Sequence, residues 1–279
     1  MKSITWKNFQ KIIEKDQTSH KADLYARWFV WKISAPISYL IVKTPFSANQ
    51  ITVFQEIVGI IGAVLLASID IKFAVIGIIL LQIGYIFDCV DGEVARFKNQ
   101  QSVRGVYLDL IGHQFVIPMY IFFNSLGVYL RYGYIDAIIM GFLGALFLLR
   151  TDIYSMYSVV NTMIEKGDNR NYNPTILNQK IMQSEPNIAF KKRSGWKWVV
   201  RKKWSYPDSM NMLTIAILLD YYFMPLFFGG RTISFAYIFS YWFTIPIVIG
   251  RFFSYWKVFN QDEVSHHFHR IVNKSKNNF

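Results

Sequence analysis

Ile71-Lys72-Phe73-Ala74-Val75-Ile76-Gly77-Ile78-Ile79-Leu80-Leu81-Gln82-Ile83-Gly84-Tyr85-Ile86-Phe87-Asp88-Cys89-Val90-Asp91-Gly92-Glu93-Val94 is an apolar run that ends in acid. A helix needs about 20 apolar residues to cross the hydrocarbon core of a bilayer, and this stretch is long enough. Charges inside a span are costly and mark functional candidates, so one segment bears on both fold and site. Working outward, comparable runs lie at 51–68, 104–129, 134–157, 209–227 and 232–255. Ser47 and Gln50 have the spacing of a capping box at the start of the first. Asp70 and Lys72 leave only a very short turn between the first run and the second, and short connections make antiparallel neighbours. The expected fold class is all-α, a polytopic membrane protein with six transmembrane helices and N-terminal interfacial amphipathic helices.

Composition agrees. The 279 residues are 53% hydrophobic, 18% aromatic and only 17% charged, with a mean hydropathy of +0.23. Soluble domains carry about 25% charge, so an ordinary soluble enzyme and a disordered chain are both excluded. One cysteine excludes an intramolecular disulfide framework and a cysteine-based zinc site. The net charge of +12 suits nucleic acid or an anionic membrane surface. The apolar runs decide for an anionic lipid bilayer, with no nucleic acid as partner.

The expected organisation is a cytoplasmic interfacial arm at 1–48, transmembrane helices 1–4 with the motif at 49–157, a basic and aromatic cytoplasmic insert at 158–208, transmembrane helices 5–6 at 209–257, and a cytoplasmic tail at 258–279. The arm opens with Trp6, Phe9 and Ile13 at helical spacing among lysines, and Leu24, Trp28 and Trp31 repeat the pattern. Such segments read as helices lying in the interface rather than as a cleavable signal. The insert mixes Lys191, Lys192 and Arg193 with Trp196, Trp198 and Trp204. Six spans place both termini on one side, and that side carries 27 of the 30 basic residues. The positive-inside rule makes it the cytoplasm. The expected location is therefore the cell (inner, cytoplasmic) membrane, multi-pass, with termini and active site cytoplasmic.

The chemistry gathers at that side. Asp88 and Asp91 are three apart and share a helix face, with Gly92 and Ala95 leaving it bare and Arg96 closing the segment. The third span adds Gly105, Asp109 and His113, each four apart on one stripe. Set together, the stripes bring three carboxylates and an imidazole to one depth. Without a cation they would repel one another. Such an oxygen-rich set suits Mg²⁺ or Mn²⁺.

Asp88-x-x-Asp91-Gly92-x-x-Ala95-Arg96, eight residues, Gly105, three residues, Asp109 resembles the signature of the CDP-alcohol phosphotransferases (CDP-alcohol phosphatidyltransferases). The resemblance extends to the turn Thr44-Pro45-Phe46-Ser47-Ala48-Asn49-Gln50-Ile51-Thr52 and the amphipathic arm. It implies transfer of a substituted phosphate from a CDP-linked donor to an alcohol acceptor (lipid, glycan or small polyol) with release of CMP, in a setting of phospholipid biosynthesis. It makes Asp88, Asp91 and Asp109 metal ligands. It has Gly92, Ala95 and Gly105 admit the nucleotide and Arg96 pair with the diphosphate. His113 stands where the family usually has a fourth Asp, and is expected to act as general base beside Asp109 or to join the metal ligands. A homodimer is the expected assembly. Two other readings of the same residues are a catalytically degenerate scaffold of this fold and a divalent-cation transporter. The polar groups cluster at one end of their spans, which argues against a path across the membrane.

Overall fold

A computed structural model describes residues 5–17, 25–149, 204–223, 226–228 and 231–260. The insert expected at 158–208 lies outside the described residues except for its last few, and so does nearly all of the tail. Within them the elements are α1 (Trp6–Gln17), a π-helical turn (Ala26–Val30), α2 (Trp31–Ile41), α3 (Ala48–Leu65), α4 (Ile71–Phe97), α5 (Val103–Tyr132), α6 (Ile135–Leu148), α7 (Asp208–Phe223), a hairpin of β1 (Leu226–Phe228) and β2 (Arg231–Ile233), and α8 (Phe235–Asn260).

Helices stand at all six expected places. Four of them, α3, α4, α5 and α8, are long and apolar enough to cross a membrane. The described part of α6 stops at Leu148, short of the end expected at 157. The fifth run differs from expectation. Helix α7 has 16 residues and ends at Phe223, and the last residues of the expected span pair antiparallel with the start of the sixth, Phe227 opposite Thr232.

Capping sets the starts. Ser47 and Gln50 form the expected capping box, and the Asp70 carboxylate accepts from the Lys72 amide to open α4 directly after α3. These two antiparallel helices pack most extensively of any pair, and their axes meet at Gly62 and Gly77. A Cβ on Gly62 would stand 2.8 Å from the Gly77 carbonyl oxygen, so only glycine permits this approach. At the other end of the bundle the buried Asp220 accepts from the amides of Phe235 (2.6 Å) and Ala236 (3.0 Å), neutralising the N-terminus of α8. Gly141 packs on Ser125 and Gly144 on Thr244, so this small-residue run serves contacts within the chain.

The N-terminal arm is docked on the bundle. Phe9 and Ile13 are buried with Val42, Ile51, Val90 and Val94, while Trp28, 68% exposed, faces outward. The face of α1 read as membrane-directed thus covers α4. Two polar ties reinforce the docking. Tyr25 donates to Gln82, which in turn donates to Asn211 and Thr214 of α7. Ser34 and Ser38 of α2 donate to the two oxygens of Glu93, at 2.9 and 2.6 Å. Glu93 is 1% exposed.

Candidate functional site

The start of α3, the end of α4 and the start of α5 are laced together. Lys98 donates to the carbonyls of Thr44 and Phe46, both at 2.7 Å, and the Gln100 side chain accepts from the Ala48 amide at 3.0 Å. Ser102 caps α5 by accepting from the Gly105 amide at 3.0 Å. The eight candidate site residues, Asp88, Asp91, Gly92, Ala95, Arg96, Gly105, Asp109 and His113, lie on α4 and α5.

The residues divide into two groups. Asp88, Asp109 and His113 converge. His113 Nε2 lies 3.3 Å from Asp88 Oδ1 and 3.4 Å from Asp109 Oδ1, and one ligand atom from each of the three falls within 4.8 Å of the others. Asp109 Oδ1 is buried and takes no hydrogen bond. Two carboxylates and an imidazole, one oxygen lacking a donor, fit a divalent cation. Asp91 stands outside this group. Its Oδ2 accepts from Thr52 Oγ1 at 2.5 Å.

Asp91 belongs instead to a cleft of about 180 Å³, lined by Asn49, Thr52, Asp91, Gly92, Ala95, Arg96, Gly105 and Asp109 among others. Six of the eight sequence-selected residues therefore face one space, and Asp109 joins that space to the metal-like group. The Arg96 guanidinium lies over Gly92, where a Cβ would stand 3.2 Å from Nη1. A Cβ on Gly105 would stand 3.0 Å from Asn49 Oδ1. The small residues keep the floor of the cleft at backbone level, and Arg96 supplies a cation to its lining. That suits an extended anion such as a nucleoside diphosphate.

Sequence reasoning did not assign roles to Thr52 and Gln55. Both sit on the α3 face turned to α4, where Gln55 Nε2 donates to Asp88 Oδ1 at 3.1 Å. Their signal was there, as polar breaks in an apolar run. Tyr206, 5.0 Å from the His113 ring between centroids, left no such mark.

No curated protein matches the chain. Residues 46–172, the stretch that holds α3 to α6, match the family model of the CDP-alcohol phosphatidyltransferases.

Proposed function

We propose that the protein is an integral membrane phosphotransferase that moves a substituted phosphate from a CDP-linked donor to an alcohol acceptor and releases CMP. The observation that carries the reading is the junction at Asp109 of the polar cleft with the Asp88–Asp109–His113 group. The donor's cytidine and diphosphate lie in the cleft, with Gly92, Ala95 and Gly105 beneath and Arg96 against the phosphates. Asp88, Asp109 and His113 would hold Mg²⁺ or Mn²⁺, with Asp91, its rotamer fixed by the Thr52 hydrogen bond, completing the set from the cleft side. When bound, the ion neutralises phosphate oxygens and stabilises the leaving CMP. The excess of basic residues on the site's side supports a cytoplasmic site in a cytoplasmic membrane.

His113 carries one of two roles. With Nε2–H directed to Asp88, Nδ1 is left to take a proton, as in an Asp–His pair. With Nε2 on the ion, it is a ligand and the base lies elsewhere. The placement of Nε2 between two carboxylates favours the ligand. Under that assignment His113→Gln loses metal affinity and turnover together, whereas a pure base loses turnover alone.

The deciding measurement is the thermal midpoint of the detergent-purified chain with Mg²⁺ or Mn²⁺, with and without CDP, against Asp91→Asn. Binding to the native state raises the midpoint. The expected result is a CDP shift that needs metal and vanishes in the variant. A CDP shift of equal size without metal, or in Asp91→Asn, overturns the reading.

A further inference from the structure

Gln55 and Glu56 interrupt the apolar run of α3, and the reaction outlined above leaves Glu56 without a part. Gln55 is 4% exposed. Its Nε2 is shared between Asp88 Oδ1 at 3.1 Å and Glu56 Oε1 at 3.3 Å. Its own Oε1 and Glu56 Oε2 are both buried and neither has a hydrogen-bond partner. Two neighbouring acceptors thus lack a donor, which is costly unless something supplies one. The Glu56 carboxyl is seated against Gly112, where a Cβ would fall 1.8 Å from Glu56 Cδ. Glycine at 112 is therefore what admits this carboxylate beside His113.

Both residues line a cavity of about 10 Å³ together with His113, Tyr206, Val116 and Met210. That is room for one water-sized group. Asp109 lines the nucleotide cleft, and His113, one turn further along α5, lines this cavity. The two spaces are separated by the contact of His113 with Asp109, Nε2 to Oδ1 at 3.4 Å. The cavity has the size of a hydroxyl, and among its lining residues Gln55 Oε1 and Glu56 Oε2 have no hydrogen-bond partner.

We propose that this cavity seats the attacking hydroxyl of the alcohol acceptor and that Glu56 takes its proton. The inference rests on the phosphotransferase reading. The acceptor O–H donates to Glu56 Oε2. Its oxygen forms the new bond to the donor phosphorus distal to cytidine as the proton passes to the carboxylate. The bond from that phosphorus to the CMP oxygen breaks, and its electron pair leaves on CMP. No oxidant or further reactant is needed. His113 Nε2, already set between two carboxylates, is free to serve as a ligand.

The test uses the full chain in detergent, with Mn²⁺ and CDP as binding probes. CMP release is followed with CDP-diacylglycerol and glycerol phosphate, inositol phosphate or serine, and with a soluble CDP-alcohol and diacylglycerol. Glu56→Gln is expected to keep the Mn²⁺-dependent CDP shift, which also reports that it folds. Its CMP release falls by about a hundredfold or more, the usual worth of a proton acceptor, and Glu56→Asp recovers part of it. Val116→Leu narrows the cavity without touching a polar group, and is expected to raise the acceptor KM with the CDP shift unchanged. Full turnover in Glu56→Gln overturns the proposal. So does loss of the CDP shift in that variant, which would make Glu56 part of the metal and nucleotide site. A wild-type chain that neither shifts with CDP nor releases CMP overturns the phosphotransferase reading itself, and this inference with it.

Discussion

Thr52 lines the cleft, and its hydrogen bond of 2.5 Å holds the Asp91 carboxylate there. Partners that orient a metal ligand are worth about 10–100-fold in metal affinity. Thr52→Val keeps the shape and removes the donor. Mn²⁺ titration, read by the thermal midpoint or by the loss of the free-ion spin signal, is expected to show weakening of that order with little change in fold stability. Gly112→Ala acts on the other side of the site. Its Cβ would displace the Glu56 carboxyl, the movable end of a side chain rather than backbone. The expected result is a small stability change with CMP release lost, and Mn²⁺ affinity within a few-fold of wild type. Asp88, Asp91, Gly92, Ala95, Arg96, Gly105, Asp109 and His113 were all legible in the sequence because helical spacing puts each set on one stripe. Their division into a metal-like trio and a cleft-lining Asp91 was not. That division depends on Thr52 and Gln55, which lie 39 and 33 residues from the aspartates they bind, and no local period reports such pairs.

At the scale of elements, α4 is held from two sides. On one, Gly62 and Gly77 let α3 and α4 touch backbone to backbone. The Cβ of Gly62→Ala would meet the Gly77 carbonyl at 2.8 Å and the Leu81 amide at 3.0 Å, atoms that move only if the helices part. Overpacking of this kind costs about 1–3 kcal/mol. The variant is expected to melt earlier and to bind Mn²⁺ more weakly, since Thr52 and Asp91 face each other across the same seam. On the other side, the hydroxyls of Ser34 and Ser38 hold the buried Glu93 carboxyl. Hydrogen bonds of this kind contribute about 1 kcal/mol each. Ser34→Ala and Ser38→Ala are each expected to lower the thermal midpoint. The double variant is expected to fall short of additivity, because both act on one carboxylate. The helices themselves were legible from their apolar runs and caps, as the capping box at Ser47 illustrates. The docking of Phe9 and Ile13 was not. An amphipathic face looks the same in sequence whether it meets lipid or another helix, and only the position of Val90 and Val94 decides.

For the whole molecule, the site, the arm and the short connection from α4 to α5 share one end of the bundle. The turn from α3 to α4 lies at the other. The proposed orientation puts the site end in the cytoplasm, and the ends can be told apart by chemistry. Cys89 is the single cysteine, so Cys89→Ala gives a background without thiols. Ile69, 72% exposed in the turn between α3 and α4, and Gln101, exposed between α4 and α5, are then reporters for opposite faces. In intact cells a membrane-impermeant maleimide is expected to label Ile69→Cys and to spare Gln101→Cys, and inverted vesicles are expected to reverse the pattern. Labelling of Gln101→Cys from outside would place the cleft away from the cytoplasmic nucleotide pool. A donor built on CDP is made on that side, so such a result would remove the orientation on which the reaction depends.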